Sequence, residues 1–253
     1  MPSFYDLFLH SLSVKRWRKV ARQAPDALLT DLRNQRSRAQ QLRTHVNRLI
    51  HVADERLSLP QPGNSNFARP HGTDWAWRPE AWRGSLASPG IAAAPTRAAL
   101  GDEVTLFHDC DASEVTLRQI RNLRADDLAA YGLRLDVFRF DGSFLSLVID
   151  LPDAAAQGLT KAHLVRVNTI IEAEKPLEIF ARLNVRHGPN TEQVVRELPL
   201  HEKDVRVDFD LAYSRLNERR IEKVWLDLIF EAPEMNQVTL RDVTFARHMR
   251  ASI

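Results

Sequence analysis

From residue 103 to the end of the chain, apolar side chains recur at every second position in one short run after another, a period that fits strands with one buried face. Leu133, Leu135 and Val137 alternate with Arg134 and Asp136, and SFLSLVIDL, HLVRVNTII, PLEIFARLNV, VRVDFDL, KVWLDLIF and QVTLRDVTF repeat the pattern. Turn material such as His187-Gly188-Pro189-Asn190 separates them. At least eight such runs at short intervals, with no long helices between them, predict a mainly β fold, an antiparallel β-sandwich. Asp141-Gly142 has the composition of a type I′ turn, so the strands on either side of it are expected to pair as a hairpin.

The chain ahead of this body reads differently. Residues 26–57 contain neither Gly nor Pro, and Leu28, Leu32, Gln35, Ala39, Leu42, Val46, Leu49 and Ala53 recur at spacings of four and three, which predicts a long helix with a heptad-like seam. Between residues 32 and 53 every charge on it is Arg, so two copies side by side would set like charges against each other. Before it, Phe4, Phe8 and Leu12 share one helical face with Tyr5 and Leu9 beside them, and Trp17 stands in a basic cluster. Residues 59–102 then hold six of the 13 prolines and five of the nine glycines, together with Trp75, Trp77 and Trp82. Three indoles so close together are costly to leave in water, so this stretch is expected to wrap onto the body. The division expected is a basic helical arm over 1–58, a Pro/Gly/Trp-rich connector over 59–102 and a sandwich over 103–253.

A formal charge of +2 hides an asymmetry: residues 1–58 carry 11 Lys or Arg against five acids, and the rest carry 24 against 28. A basic arm on a mildly acidic body fits docking within the chain, or an anionic membrane surface or protein partner for residues 1–58. Specific nucleic-acid binding is disfavoured, because the basic stripe lacks interleaved exposed aromatics. Cys110 stands alone, which excludes an internal disulfide framework and fits a reducing compartment. The basic residues follow the first apolar stretch, the reverse of a secretory signal, and no run reaches the roughly 20 apolar residues of a spanning helix. A cytoplasmic location, peripheral to the inner membrane, is the expectation.

Parity along the strands sets out candidate site residues. Arg166 and Asn168 oppose Val165, Val167, Thr169 and Ile171; Arg182 and Asn184 oppose Ile179, Ala181 and Leu183; Trp225 and Asp227 oppose Val224, Leu226 and Leu228. Were these strands neighbours, one face would present planar hydrogen-bonding groups beside an aromatic ring, the chemistry that holds sugar hydroxyls and a sugar's apolar face. The same residues also suit a solvated outer face with cross-strand ion pairs, or a face covered by the Arg-rich helix. Arg186 and His187, with Asn190 and Glu192, cluster at a tight turn and fit either a carboxylate or hydroxyl ligand or turn hydrogen bonds. His108 to Asp111, read HDCD, is the one place where nucleophile and metal-ligand types crowd together. On a strand His108 and Cys110 would share a face, two ligands where zinc takes three or four. No catalytic or metal residue is assigned, no cofactor motif such as a P-loop, G-x-G-x-x-G or G-x-S-x-G is present, and no loop singles out calcium ligands.

The segments DWAWRPEAWRG, TLFHDC, FDGSFLSLVIDLP, FARLNVRHGPNTEQ, FDLAYSRLNERR and VWLDLIFEAPEMNQ resemble an uncharacterised alphaproteobacterial, Rhodobacterales-type family classed as a domain of unknown function. The likeness spans most of residues 10–250 and implies no catalytic residues. The closing VWLDLIFEAPEMNQVTLRDVTFAR is similar to the last strands of galactose-binding-like jelly rolls found in carbohydrate-binding modules. That resemblance, taken with the strand faces, leads to the expectation of a non-catalytic module for a glycan or glycoconjugate, an accessory to polysaccharide metabolism, with the parity and turn residues Arg166, Asn168, Arg182, Asn184, Trp225, Asp227, Arg186 and His187 as its ligand-binding residues. Two alternatives remain open: an adaptor attached to membrane or partner through its basic helices, and a hydrolase using the His108–Cys110 region.

Overall fold

Two stacked antiparallel sheets dominate the part of the chain after the N-terminal helices in the computed structural model, which describes residues 4–57, 67–112, 114–124, 126–202 and 204–250. The chain divides into two compact units, residues 1–52 and 53–253. The first holds α1 (Phe4–Gln23), a 3-10 turn at Ala24–Asp26 and most of α2 (Leu29–Leu57). Pro25, which lacks an N–H and restricts the residue before it, accounts for the break between the helices. Leu32, Gln35 and Ala39 of the seam are half-buried, whereas Leu42, Val46 and Leu49 are exposed. The side chains of Phe4, Tyr5, Phe8 and Ala53, and all of residues 58–66, lie outside the described residues.

The second unit contains thirteen strands among its described residues: β1 (Thr73–Trp77), β2 (Gly90–Ile91), β3 (Arg97–Leu100), β4 (Val104–His108), β5 (Val115–Arg121), β6 (Tyr131–Val137), β7 (Leu145–Asp150), β8 (His163–Ala173), β9 (Ile179–His187), β10 (Asn190–Glu197), β11 (Val205–Asp210), β12 (Ile221–Phe230) and β13 (Asn236–Met249). One sheet runs β11-β8-β13-β6-β5-β2, and the other β10-β9-β12-β7-β4-β3. β13 is long enough to take two partners on one edge, β6 along Asn236–Leu240 and β1 along Thr73–Trp77 opposite Phe245–His248, while β8 covers its other edge.

The alternating residues meet between the sheets. Leu133, Leu135, Val165, Val167, Phe209, Val243 and Phe245 of one sheet pack in the same buried core as Leu106, Leu147, Ile149, Ile179, Leu183, Leu226 and Leu228 of the other. Each such side chain stabilises the fold by about 1.5–3 kcal/mol relative to its exposed state. Residues 73–100 belong to this structure: they supply three strands, and Trp82 is fully buried with its indole N–H donating to the Leu240 carbonyl at 2.9 Å. Trp75 and Trp77 stack with centroids 6.3 Å apart, and Trp77 leans on Phe245.

The hairpin expected at Asp141-Gly142 does not form. β6 lies between β13 and β5, whereas β7 lies in the opposite sheet between β12 and β4, so residues 138–144 cross from one sheet to the other. Gly142 is not among the positive-φ residues, as a type I′ turn would require. It is small for a different reason: a Cβ there would lie 2.5 Å from Asp109 Oδ1 and 2.8 Å from the Cys110 nitrogen. A tight hairpin occurs instead between β9 and β10, where Gly188 at φ +62° and Pro189 form the two-residue loop between paired His187 and Asn190. The returning strand of that hairpin, β10, has no clean apolar alternation and is mostly exposed at the sheet edge.

Candidate functional site

The outer face of the six-stranded sheet carries a groove of about 590 Å³, within the usual range for ligand sites. Its lining follows from strand parity. Ala98, Leu106, Leu147, Leu226 and Leu183 point into the core, so their neighbours point out: Arg97 on β3, Phe107 on β4, Ser146 and Asp150 on β7, Lys223, Trp225 and Asp227 on β12, Arg182 and Arg186 on β9. Phe144, just before β7, adds a third aromatic ring.

Cross-strand register organises these side chains into rows. Thr105, Val148, Asp227 and Arg182 make one row, and Arg97, Phe107, Ser146 and Ile229 the next. Asp227 is 3% exposed, and its Oδ2 accepts from Arg182 Nε at 2.8 Å, Arg182 Nη2 at 2.6 Å and Asn184 Nδ2 at 3.1 Å. Gln193 of β10 in turn donates to Asn184 Oδ1 at 2.9 Å, which fixes the amide. Among the described residues Asp227 Oδ1 has no donor and the buried Ser146 hydroxyl has no partner. Lys223 pairs with Asp150 at 2.7 Å and lies 5.8 Å from the Trp225 ring centroid, and Arg186 pairs with Glu222 at 3.0 Å. The guanidinium of Arg97 sits 5.7 Å from the Phe107 centroid.

The eight residues selected from the sequence do not share one face. Arg182, Arg186, Trp225 and Asp227 line the groove, with Asn184 bracing Asp227. Arg166 and Asn168 lie on β8 in the other sheet, because β8 pairs with β11 and β13 and never with β9. There Arg166 makes a two-point ion pair with Asp208, both bonds 2.7 Å, and that guanidinium holds the Asp208 carboxyl below its ordinary value. Asn168 borders a small cleft of about 160 Å³ with Phe67, Leu128 and Thr244. His187 has the inward parity of β9; it is buried, and its Nδ1 accepts from the Asn217 backbone N–H at 3.3 Å. Asn190 opens β10, and Glu192 accepts from the Arg215 backbone N–H.

In the HDCD stretch His108 and Cys110 turn inward, and Asp109 and Asp111 are exposed. His108 and Cys110 are buried; the His108 ring contacts the Ala94 carbonyl at 3.1 Å, and the Cys110 thiol donates to Asp141 Oδ1 at 2.8 Å. That thiol, with backbone N–H groups of Ala112 and Asp111, keeps Asp141 below its ordinary value; Ser143 and Phe144 do the same for Asp109. Among the described residues no cluster of three His, Cys, Asp or Glu could hold a metal ion, and no helix is long and apolar enough to cross a membrane.

Sequence reasoning missed Arg97, Phe107, Phe144, Ser146, Asp150 and Lys223 as site residues. Each has outward parity on, or next to, its strand, but only the sheet order shows that they converge.

Fold and face together define an antiparallel β-sandwich with an open polar and aromatic groove across one sheet. The chain belongs to the family of unknown function DUF6478, whose model matches residues 1–253. No curated protein matches it by sequence. Among solved structures it is similar to the enzymatically active domain of bacteriophage CBA120 tailspike protein 4, with 7% identity and a TM-score of 0.40 over 59% of this chain. The match spans a fifth, 20%, of that tailspike chain. It is also similar to the family 11 carbohydrate-binding module of Clostridium thermocellum, solved with a mixed-linked tetrasaccharide, at 10% identity and TM-score 0.38 over 56% of this chain and 88% of the module. The CBM22-1 xylan-binding domain of Paenibacillus barcinonensis Xyn10C aligns at 9% identity and TM-score 0.35 over 65% of this chain and 94% of that one.

Proposed function

We propose that the chain is a glycan-binding module and that its ligand lies in the groove of the six-stranded sheet. The observation that supports this reading is the buried Asp227 carboxylate of the groove lining, whose Oδ2 collects three donors while Oδ1 has none among the described residues. An unsatisfied buried acceptor costs about 1–3 kcal/mol, so a donor that reaches Oδ1 when the side chains covering it shift on binding is favoured. A sugar hydroxyl is such a donor. Ser146 Oγ offers a second unpartnered polar atom one row away, and Trp225, Phe107 and Phe144 offer rings for the apolar faces of pyranoses. The groove crosses five strands about 4.8 Å apart, which suits an oligosaccharide better than a single sugar.

Affinity electrophoresis through gels containing different polysaccharides tests the reading. Retardation of the wild type in at least one gel, lost in Trp225→Ala with an unchanged melting temperature, is the expected result. Equal retardation of both proteins would contradict it. Trp225 serves the test better than Arg182 or Asn184, since those two support a buried carboxylate, and their removal would cost stability on the order of 1 kcal/mol as well as binding.

A further inference from the structure

We infer that the groove takes an anionic glycan, with the acidic group of the sugar seated at the Arg97 end; this rests on the glycan reading above. Four cations line the groove, Arg97, Arg182, Arg186 and Lys223, against two acids, Asp150 and Asp227. Three of the cations already face carboxylates: Arg182 faces Asp227, Lys223 faces Asp150, and Arg186 faces Glu222 at the groove margin. Arg97 has no carboxylate partner among the described residues. Its guanidinium is instead held by the Phe107 ring, a contact that fixes its position while leaving its N–H donors free for a ligand.

The neighbouring row position gives the second observation. Arg97 pairs with Phe107 and Phe107 with Ser146, so the Arg97 and Ser146 backbones lie two strands, about 10 Å, apart across the ring. Ser146 Oγ is buried, unpartnered and part of the groove wall. The Arg97 guanidinium, held against the Phe107 ring and facing no carboxylate, is a set of donors without an acceptor, the complement of a carboxylate or sulfate ester. Three strands away, on β12, Asp227 Oδ1 is an acceptor without a donor among the described residues, the complement of a neutral hydroxyl. The groove is therefore polar in a directional sense: the donor-rich end fits the acid group of a uronate or sulfated sugar, and the acceptor on β12 fits the hydroxyls of its neighbour.

The test is a glycan array carrying neutral, uronate-containing and sulfated members, probed with full-length wild type, Arg97→Gln and Arg97→Lys. The expected result is binding concentrated on acidic members and weakened by added salt, with carboxylated and sulfated members separating the two acid chemistries. Arg97→Gln should lower that affinity about tenfold, the loss expected of one charge-assisted hydrogen bond, and Arg97→Lys should restore part of it. Arg97 is exposed on an edge strand, so neither change threatens the fold. Binding confined to neutral members, or acidic binding indifferent to Arg97→Gln, would overturn this inference and leave the glycan reading standing. An array on which nothing binds would overturn both.

Discussion

At Gly142 the structure has room for a hydrogen and nothing larger, because Asp109 Oδ1 and the Cys110 backbone close over it. Gly142→Ala should therefore destabilise the protein by about 1–3 kcal/mol in urea unfolding, and an unchanged midpoint would contradict the packing described for that crossover. The dipeptide Asp141-Gly142 has the composition of a hairpin turn, yet the same two residues serve a link between sheets: Asp141 accepts the Cys110 thiol and two backbone N–H groups, and Gly142 lets the strands' ends approach. Local composition cannot separate these uses, since both need a small residue beside a short carboxylate.

Asp208 makes a prediction of known sign. Its folded-state value lies below the ordinary 3.8, held there by the Arg166 hydrogen bonds. A depressed carboxylate contributes stability that is present above the ordinary value and lost as pH falls through the folded one. Asp242 and Glu103 act in the opposite direction, since burial raises both. Comparison of wild type with Asp208→Asn isolates the Asp208 contribution: the variant should be less stable at pH 7, with the gap closing below about pH 4. A gap independent of pH would show that the Arg166 pair does not act through its charge.

Strand faces were legible in the sequence, and strand neighbours were not. Parity placed Val165, Val167, Leu183, Leu226 and Phe209 inside, because burying one face of a strand demands alternation whatever the partner. Membership of a sheet depends on pairings between residues tens of positions apart, so Arg166 and Arg182, read as parts of one surface, belong to opposite faces of the sandwich. Two elements left weak signals: β10, an edge strand with little to bury, and β1 to β3, short strands inside a stretch dense in Pro and Gly. Trp82 nevertheless announced that this stretch is anchored. It lies in the single-turn helix α3 (Glu80–Arg83), fully buried, and Trp82→Ala should cost about 3–5 kcal/mol by chemical denaturation. A loss under 1 kcal/mol would mean that residues 73–100 add little to the core.

At the scale of the molecule, the sandwich presents two outer faces of different character. The six-stranded sheet shows three aromatic rings over a broad groove; the seven-stranded sheet shows the closed Arg166–Asp208 pair and a cleft about a quarter as large, and both hold buried polar atoms without partners among the described residues, Asp227 Oδ1 and Ser146 Oγ on one, Asn168 Oδ1 on the other. Four of the site's residues, Arg182, Arg186, Trp225 and Asp227, were visible from parity alone. Of the six that were not, five required the fold to bring β3, β4 and β7 alongside β12, and Lys223 lies on β12 itself. The most direct test sets the two faces against each other on the same glycan array, with Trp225→Ala for one sheet and Asn168→Ala for the other. Trp225→Ala should lose at least about tenfold in affinity, as removal of a stacking ring does, while Asn168→Ala binds like the wild type. Binding that survives Trp225→Ala and fails in Asn168→Ala would place the ligand on the seven-stranded sheet and contradict the account.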